Sequence, residues 1–185
     1  MAQLAAMYVV GLYLAQVRGT RDPAEVRAHL RDLQSIPDLI QEVLDRMEPV
    51  RALARELATE ERVLFIGRHV GYPMALEGAL KLKELAYVLA DPYSAADFQH
   101  GPIALVEEGF PILAIATSGK TLPGMIDLLG RLRAAHARLL VLSDDRAALD
   151  SGDGVLLPAV PEWLAPLVAI IPAQLFAYHL ARARG

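Results

Sequence analysis

Three ionisable side chains fall at helical spacing in one short window. They are Glu77, Lys81 and Glu84, at i, i+4 and i+7 of Ala75-Leu76-Glu77-Gly78-Ala79-Leu80-Lys81-Leu82-Lys83-Glu84. On a helix this spacing places them one above another on a single face. Carboxylates stacked beside an ammonium are groups that could serve acid–base chemistry. The same spacing also describes a plain exposed salt-bridge ladder, with about 0.2–0.5 kcal/mol per pair. Two details weigh against the plainer reading. Apolar residues flank the charges on both sides (Leu76, Leu80, Leu82, Leu85), and Gly78 removes bulk in mid-helix. A helical glycine costs roughly 1 kcal/mol relative to alanine, which a closely packed neighbour would explain.

Other polar residues stand at the ends of apolar runs. Val63-Leu64-Phe65-Ile66 is followed by Gly67-Arg68-His69-Val70-Gly71 and then Tyr72-Pro73. Glycines permit a sharp turn there, and the start of the next helix offers N–H groups to an anion; a plain strand-to-helix turn reads the same way. His100 lies in Asp97-Phe98-Gln99-His100-Gly101-Pro102, a tight turn that would hold a polar imidazole in place; a helix-capping histidine reads the same way. Ala116-Thr117-Ser118-Gly119-Lys120-Thr121 also sits between a strand and a helix. It is too poor in glycine for a nucleotide P-loop, yet Ser118 and Thr121 put hydroxyls at a helix N-terminus, which can bind phosphate; an ordinary strand-to-helix turn reads the same way. His29, His136 and His179 sit on polar helix faces or near a helix end. No spacing suggests a metal site, and no cofactor is expected. Trp163 reads as a packing anchor.

The elements that must carry these residues alternate. Short apolar runs at 63–66, 111–116, 138–142 and 154–157, with a further short strand at Leu89-Ala90, are separated by helical stretches at 73–88, 122–136 and 162–182. A loop with one helical turn covers 93–106. Such alternation means a parallel sheet covered on both faces: a three-layer α/β/α sandwich with a mainly parallel, roughly five-stranded sheet of flavodoxin-like kind. In such sheets ligands bind at the carboxyl ends of the strands. Four helices precede the first strand, so residues 1–58 read as lead-in helices packed on a domain spanning 59–185. Helix 2–18 is apolar around most of its circumference and reads as packed on most sides. In the last helix Pro166 and Pro172 should delay the start or kink it.

Composition narrows the function. The chain has 185 residues, 18 Lys+Arg against 22 Asp+Glu, a formal net charge of −4 and no cysteine. The mild acidity offers no reason to expect nucleic acid as a partner. The lack of cysteine excludes disulfides, thiolate metal sites and a thiol nucleophile within these residues. Residues 1–17 lack a basic leader and fall short of the ~20 residues that span a bilayer, and 163–178 are interrupted by Pro166, Pro172 and Gln174. Both read as buried helices of a soluble, cytoplasmic protein without membrane contact.

Taken together, Gly67-Arg68, the run from Tyr72 through Ala75 to Glu84, and His100-Gly101-Pro102 with Ala104-Leu105 resemble the sugar-isomerase (SIS) domain family. The likeness is to the second SIS domain of glucosamine-6-phosphate synthases and to relatives without a glutaminase domain, and it covers almost the whole chain. It implies a phosphosugar-binding domain, half of an aldose–ketose isomerase or amino-sugar-phosphate enzyme. In that resemblance Glu84 matches the general base that shuttles a proton between sugar C1 and C2. His100 matches a ring-opening histidine donated to a neighbouring subunit, and Lys81 a lysine beside the base. Gly67, Arg68, Glu77, Ser118 and Thr121 fall at substrate-binding positions.

The resemblance also marks departures. The stretch Asp91-Pro92-Tyr93-Ser94-Ala95-Ala96-Asp97 differs from the synthases and looks closer to the glutaminase-less group. Residues 116–121 look like a degenerate copy of the phosphate loop of first SIS domains. A first SIS domain, a glutaminase domain and a C-terminal tail lysine are not found within the 185 residues. Glutamine-dependent amide transfer by this chain alone is therefore not expected. The partners it implies are a sugar phosphate and either a second copy of the chain or a first SIS domain. A non-catalytic phosphosugar sensor and a synthase fragment are the alternatives.

Overall fold

The computed structural model describes residues 2–149 and 154–185. Its centre is a five-stranded, fully parallel sheet in the order β2-β1-β3-β4-β5. The strands are β1 (Arg62–Gly67), β2 (Leu89–Ser94), β3 (Pro111–Ile115), β4 (Arg138–Ser143) and β5 (Gly154–Leu156). β1, β3 and β4 are almost wholly buried, as continuous apolar runs in a doubly covered sheet must be. Alternate residues feed two cores. Val63, Phe65, Leu113, Ile115, Leu140 and Leu142 point to one face, and Leu64, Ile66, Ile112, Ala114, Leu139 and Val141 to the other.

Helices α3 (Ile36–Leu44), α4 (Glu48–Glu56), α5 (Gly71–Ala86) and α8 (Ala165–Arg184) cover the first face. The second is covered by the short α6 (Ala95–Phe98) and by α7 (Leu122–Ala134). Two further helices, α1 (Ala2–Val17) and α2 (Pro23–Gln34), complete the lead-in region. Local chemistry accounts for the α2 start: the Asp22 carboxylate accepts the Ala24 and Glu25 N–H groups, and the Glu25 side chain accepts the Asp22 N–H, a complete capping box with Pro23 at the first helical position.

Three expectations need correction. β2 does not stop at Ala90; it continues through Asp91-Pro92 to Ser94, with Phe65 opposite Pro92 and Gly67 opposite Ser94. Proline lacks the N–H a central strand needs, but β2 is an edge strand, where its absence is tolerated. Second, α1 is not packed on most sides. None of its residues is buried, and Met7, Val9, Val10, Tyr13, Leu14 and Val17 are all exposed. Only one stripe, including Leu4 and Tyr8, meets the domain. Third, His29 does not stand on a free polar face. Its ring lies edge-on to Trp163, 5.2 Å away, and Tyr8 meets the same indole at 5.3 Å.

α8 behaves as a core helix. It begins at Ala165 after a short 3-10 turn, takes Pro166 in its first turn and runs past Pro172 to Arg184. Among the described residues, the segment 162–184 is long and apolar enough to cross a membrane, but 61% of its most apolar window is buried inside the domain.

Candidate active site

The turn from β1 into α5 is tight for a visible reason. A Cβ on Gly67 would stand 2.2 Å from the carbonyl oxygen of Gly71, a distance no side chain tolerates. The turn closes with Gly71 N–H donating to the Arg68 carbonyl (2.9 Å) and Tyr72 N–H donating to that of His69 (3.1 Å). Those two donors are thus already committed. His69 adopts a left-handed conformation, φ 53°, and its Nδ1 lies 3.1 Å from Oε1 of Glu162.

α5 then carries its charges away from that turn. Glu84 is 13 residues past Gly71, roughly 20 Å along a helix axis. The ladder therefore does not sit in the crevice at the strand ends, as the sheet type suggests; it lies on the outward face of α5. There the structure brings Glu77, Lys81 and Glu84 together. Lys81 Nζ is 2.7 Å from Oε2 of Glu84 and 3.7 Å from Oε1 of Glu77. All three stay partly exposed, with the Lys81 side chain the least so at 31%. The hydrogen bond to Glu84 raises the Lys81 ammonium above the usual lysine range, and the charge of Glu77 adds to it. Leu76, Leu80 and Leu85 are exposed beside the ladder. A half-exposed carboxylate, beside a committed ammonium and framed by apolar surface, is chemically equipped to exchange a proton with a carbon acid.

His100 is exposed at the end of α6, its N–H donating to the Asp97 carbonyl. Among the described residues its side chain has no hydrogen bond or ion pair, with Glu84 or with any other group. Gln99 beside it is clamped by the Arg131 guanidinium and donates to the Ala95 carbonyl at 3.0 Å.

Arg68 leaves the β1 turn and crosses to α7; its Nη1 occupies the space where a Cβ on Gly124 would lie, 2.6 Å away. Ser118 and Thr121 stand at the start of α7, but carboxylates already serve this loop. Ser118 N–H donates to Oδ1 of Asp144 at 2.7 Å, and the Glu162 carboxylate lies against Gly119, 2.3 Å from where a Cβ would be. Sequence spacing could not show Asp144 and Glu162 here, because one is 26 and the other 93 residues from its partner. Among the described residues, no group of three His, Asp or Glu side chains could hold a metal ion.

The family description "SIS domain" matches residues 56–184. The chain belongs to the SIS domain family. Over its full length it is 46% identical to a glutamine–fructose-6-phosphate aminotransferase [isomerizing] of Streptomyces coelicolor, and equally so to one of Mycolicibacterium smegmatis. The chain spans 31% of the length of each. Among solved structures, the C-terminal domain of glucosamine-fructose-6-phosphate aminotransferase from Francisella tularensis superposes with a TM-score of 0.89 at 29% identity, covering 97% of this chain and 52% of that one. A glucosamine-6-phosphate deaminase from Thermotoga maritima shares the fold, with a TM-score of 0.65 at 21% identity. The departure at 91–97 is thus a local one: across the chain, the likeness to the aminotransferase structure is the greater.

Proposed function

We propose that this chain is the base-carrying half of a phosphosugar-converting unit, acting on substrates of the fructose 6-phosphate and glucosamine 6-phosphate type through an enediol or enolamine. The Lys81–Glu84 pair on the open face of α5, inside the segment matched to the SIS family, carries this reading. Glu84 is the general base at C1 and C2. Lys81 steadies the oxygen that gains charge, Glu77 orients Lys81, and His100 opens the sugar ring in a neighbouring subunit. The likeness to the aminotransferases favours the isomerase half of a glucosamine-6-phosphate synthase over a stand-alone deaminase, and a base beside a lysine favours chemistry over passive sensing. The setting is cytoplasmic metabolism, and the partner is a first SIS domain or a second copy. The isolated chain is expected to turn over little.

The test is proton exchange at C2 in deuterated water, measured on the assembled enzyme that contains this domain. Glu84→Gln keeps size and shape but removes the base. Sugar-phosphate binding should survive while exchange collapses by about two to four orders of magnitude. Exchange at the original rate would reduce Glu84 to a member of a surface ladder.

A further inference from the structure

On the same helical layer as α5, the groove between α4 and α8 collects positive charge. Arg51 and Arg55, one turn apart on α4, face His179 and Arg182 of α8 across a cavity of about 330 Å³. Among the described residues, one carboxylate reaches these guanidiniums: Glu48, 2.9 Å from Arg55 and 3.7 Å from Arg51. Arg182 has no carboxylate partner among the described residues. It stacks over the Tyr178 ring, 6.0 Å from the centroid, with Nη1 3.4 Å from the Tyr178 hydroxyl. Three arginines against one glutamate leave an excess of two positive charges, in a chain whose formal net charge is −4.

These charges are felt at one point. Burial first, then Arg51, Arg182 and Arg55 in turn, hold His179 below the usual histidine range, and Glu48 opposes them only in part. Gathering like charges around a concavity favours a counter-anion inside it. Guanidinium forks match phosphate oxygens two at a time, and a neutral imidazole adds one further donor. The volume lies at the small end of the roughly 300–1,000 Å³ found for ligand sites, which suits a small anion better than a nucleotide.

We propose that the α4–α8 groove is an anion site, distinct from the Glu84 face, that takes a small, multiply charged phosphate compound. It does not depend on the chemistry assigned to α5.

The probe is inorganic pyrophosphate, titrated into the 185-residue chain at constant ionic strength. Binding is followed by calorimetry and by the His179 ring signals in NMR. The expected result is saturable one-site binding, weakened about tenfold or more by Arg55→Gln or Arg182→Gln. Arg62→Gln, outside the groove, should leave binding unchanged. Bound anion should also move the His179 titration midpoint upward, because it favours the imidazolium. Melting curves without ligand establish that each variant is folded, and the His179 shift in the unaltered chain is independent of any variant. The proposal is overturned by non-saturable binding, by equal affinity in the Arg55→Gln/Arg182→Gln double variant, or by a His179 midpoint that pyrophosphate does not move.

Discussion

Gly78 of α5 lies directly against Phe65 of β1: a Cβ added to the glycine would stand 2.8 Å from Cε1 of the phenylalanine and 3.1 Å from Cβ of Ala173 on α8. Both neighbours are fully buried. The glycine that weakens the helix locally is therefore what lets α5 settle onto the sheet and α8, with its charged ladder turned outward. Gly78→Ala should destabilise the domain. Overpacking costs about 1–3 kcal/mol, against roughly 1 kcal/mol gained in helix propensity. Chemical denaturation measures the balance, and Phe65→Leu in the same chain should recover part of the loss, because the two sites share one contact. A more stable Gly78→Ala protein would mean that α5 has slack at this crossing.

The Lys81–Glu84 hydrogen bond has a signature in pH. Its folded-state pKa is raised, so Lys81 contributes stability that is fully present below the ordinary lysine value and is lost as pH rises through the folded value. The pair therefore stays intact through neutrality and begins to fail only above the usual lysine range. Glu84→Gln removes the largest cause of the shift and should lower the Lys81 titration midpoint, read from its side-chain NMR signals. Glu77→Gln should lower it less. A midpoint indifferent to Glu84→Gln would mean that the pair does not persist in solution.

How much of this was legible beforehand depended on range. The ladder was readable because a 3.6-residue period lies within one helix, and β1, β3 and β4 because buried parallel strands are unbroken apolar runs. β2 was half visible, since Pro92 interrupts the pattern and only the edge position, a property of the whole sheet, makes it acceptable. Gly78 announced a close neighbour without naming Phe65. The contacts of Arg68 with the start of α7, of Asp144 with Ser118 and of Glu162 with His69 have no local spacing to read. α1 shows the same limit of range: apolarity all round implies a covered surface but does not say that the cover lies within the same chain.

The loop at 117–121 makes a prediction against its own sequence. A phosphate at the start of α7 would approach Asp144, which already holds the Ser118 N–H, and Glu162, which lies against Gly119. Two carboxylates repel an anion that the helix terminus alone would attract. Inorganic phosphate should bind this loop weakly, and Asp144→Asn with Glu162→Gln should tighten it by about tenfold. Phosphate affinity in the unaltered chain that falls in Ser118→Ala or Thr121→Val would instead make the loop a working phosphate grip.

α1 is held to the domain along one stripe, where the Tyr8 hydroxyl donates to the Trp163 carbonyl and its ring meets the indole edge-on. Burial lifts that phenol above the usual tyrosine range, as expected of a committed contact. The rest of the helix leaves Met7, Val9, Val10, Tyr13, Leu14 and Val17 in solvent. A second exposed apolar surface follows α5 and the start of β2: Leu76, Leu80, Leu85, Tyr87 and Leu89. Contiguous apolar surface of this kind favours association, and two copies related by a two-fold axis would cover it reciprocally. A dimer or higher oligomer is expected, with residues 72–88 and 93–102 at or near the contact, which would also carry His100 toward another copy. Light scattering at micromolar concentration should report more than the 20.1 kDa of one chain. Leu80→Glu should shift the population toward monomer without lowering the helix content. A clean monomer in the unaltered chain would sink the assembly, and a dimer indifferent to Leu80→Glu would sink only its placement.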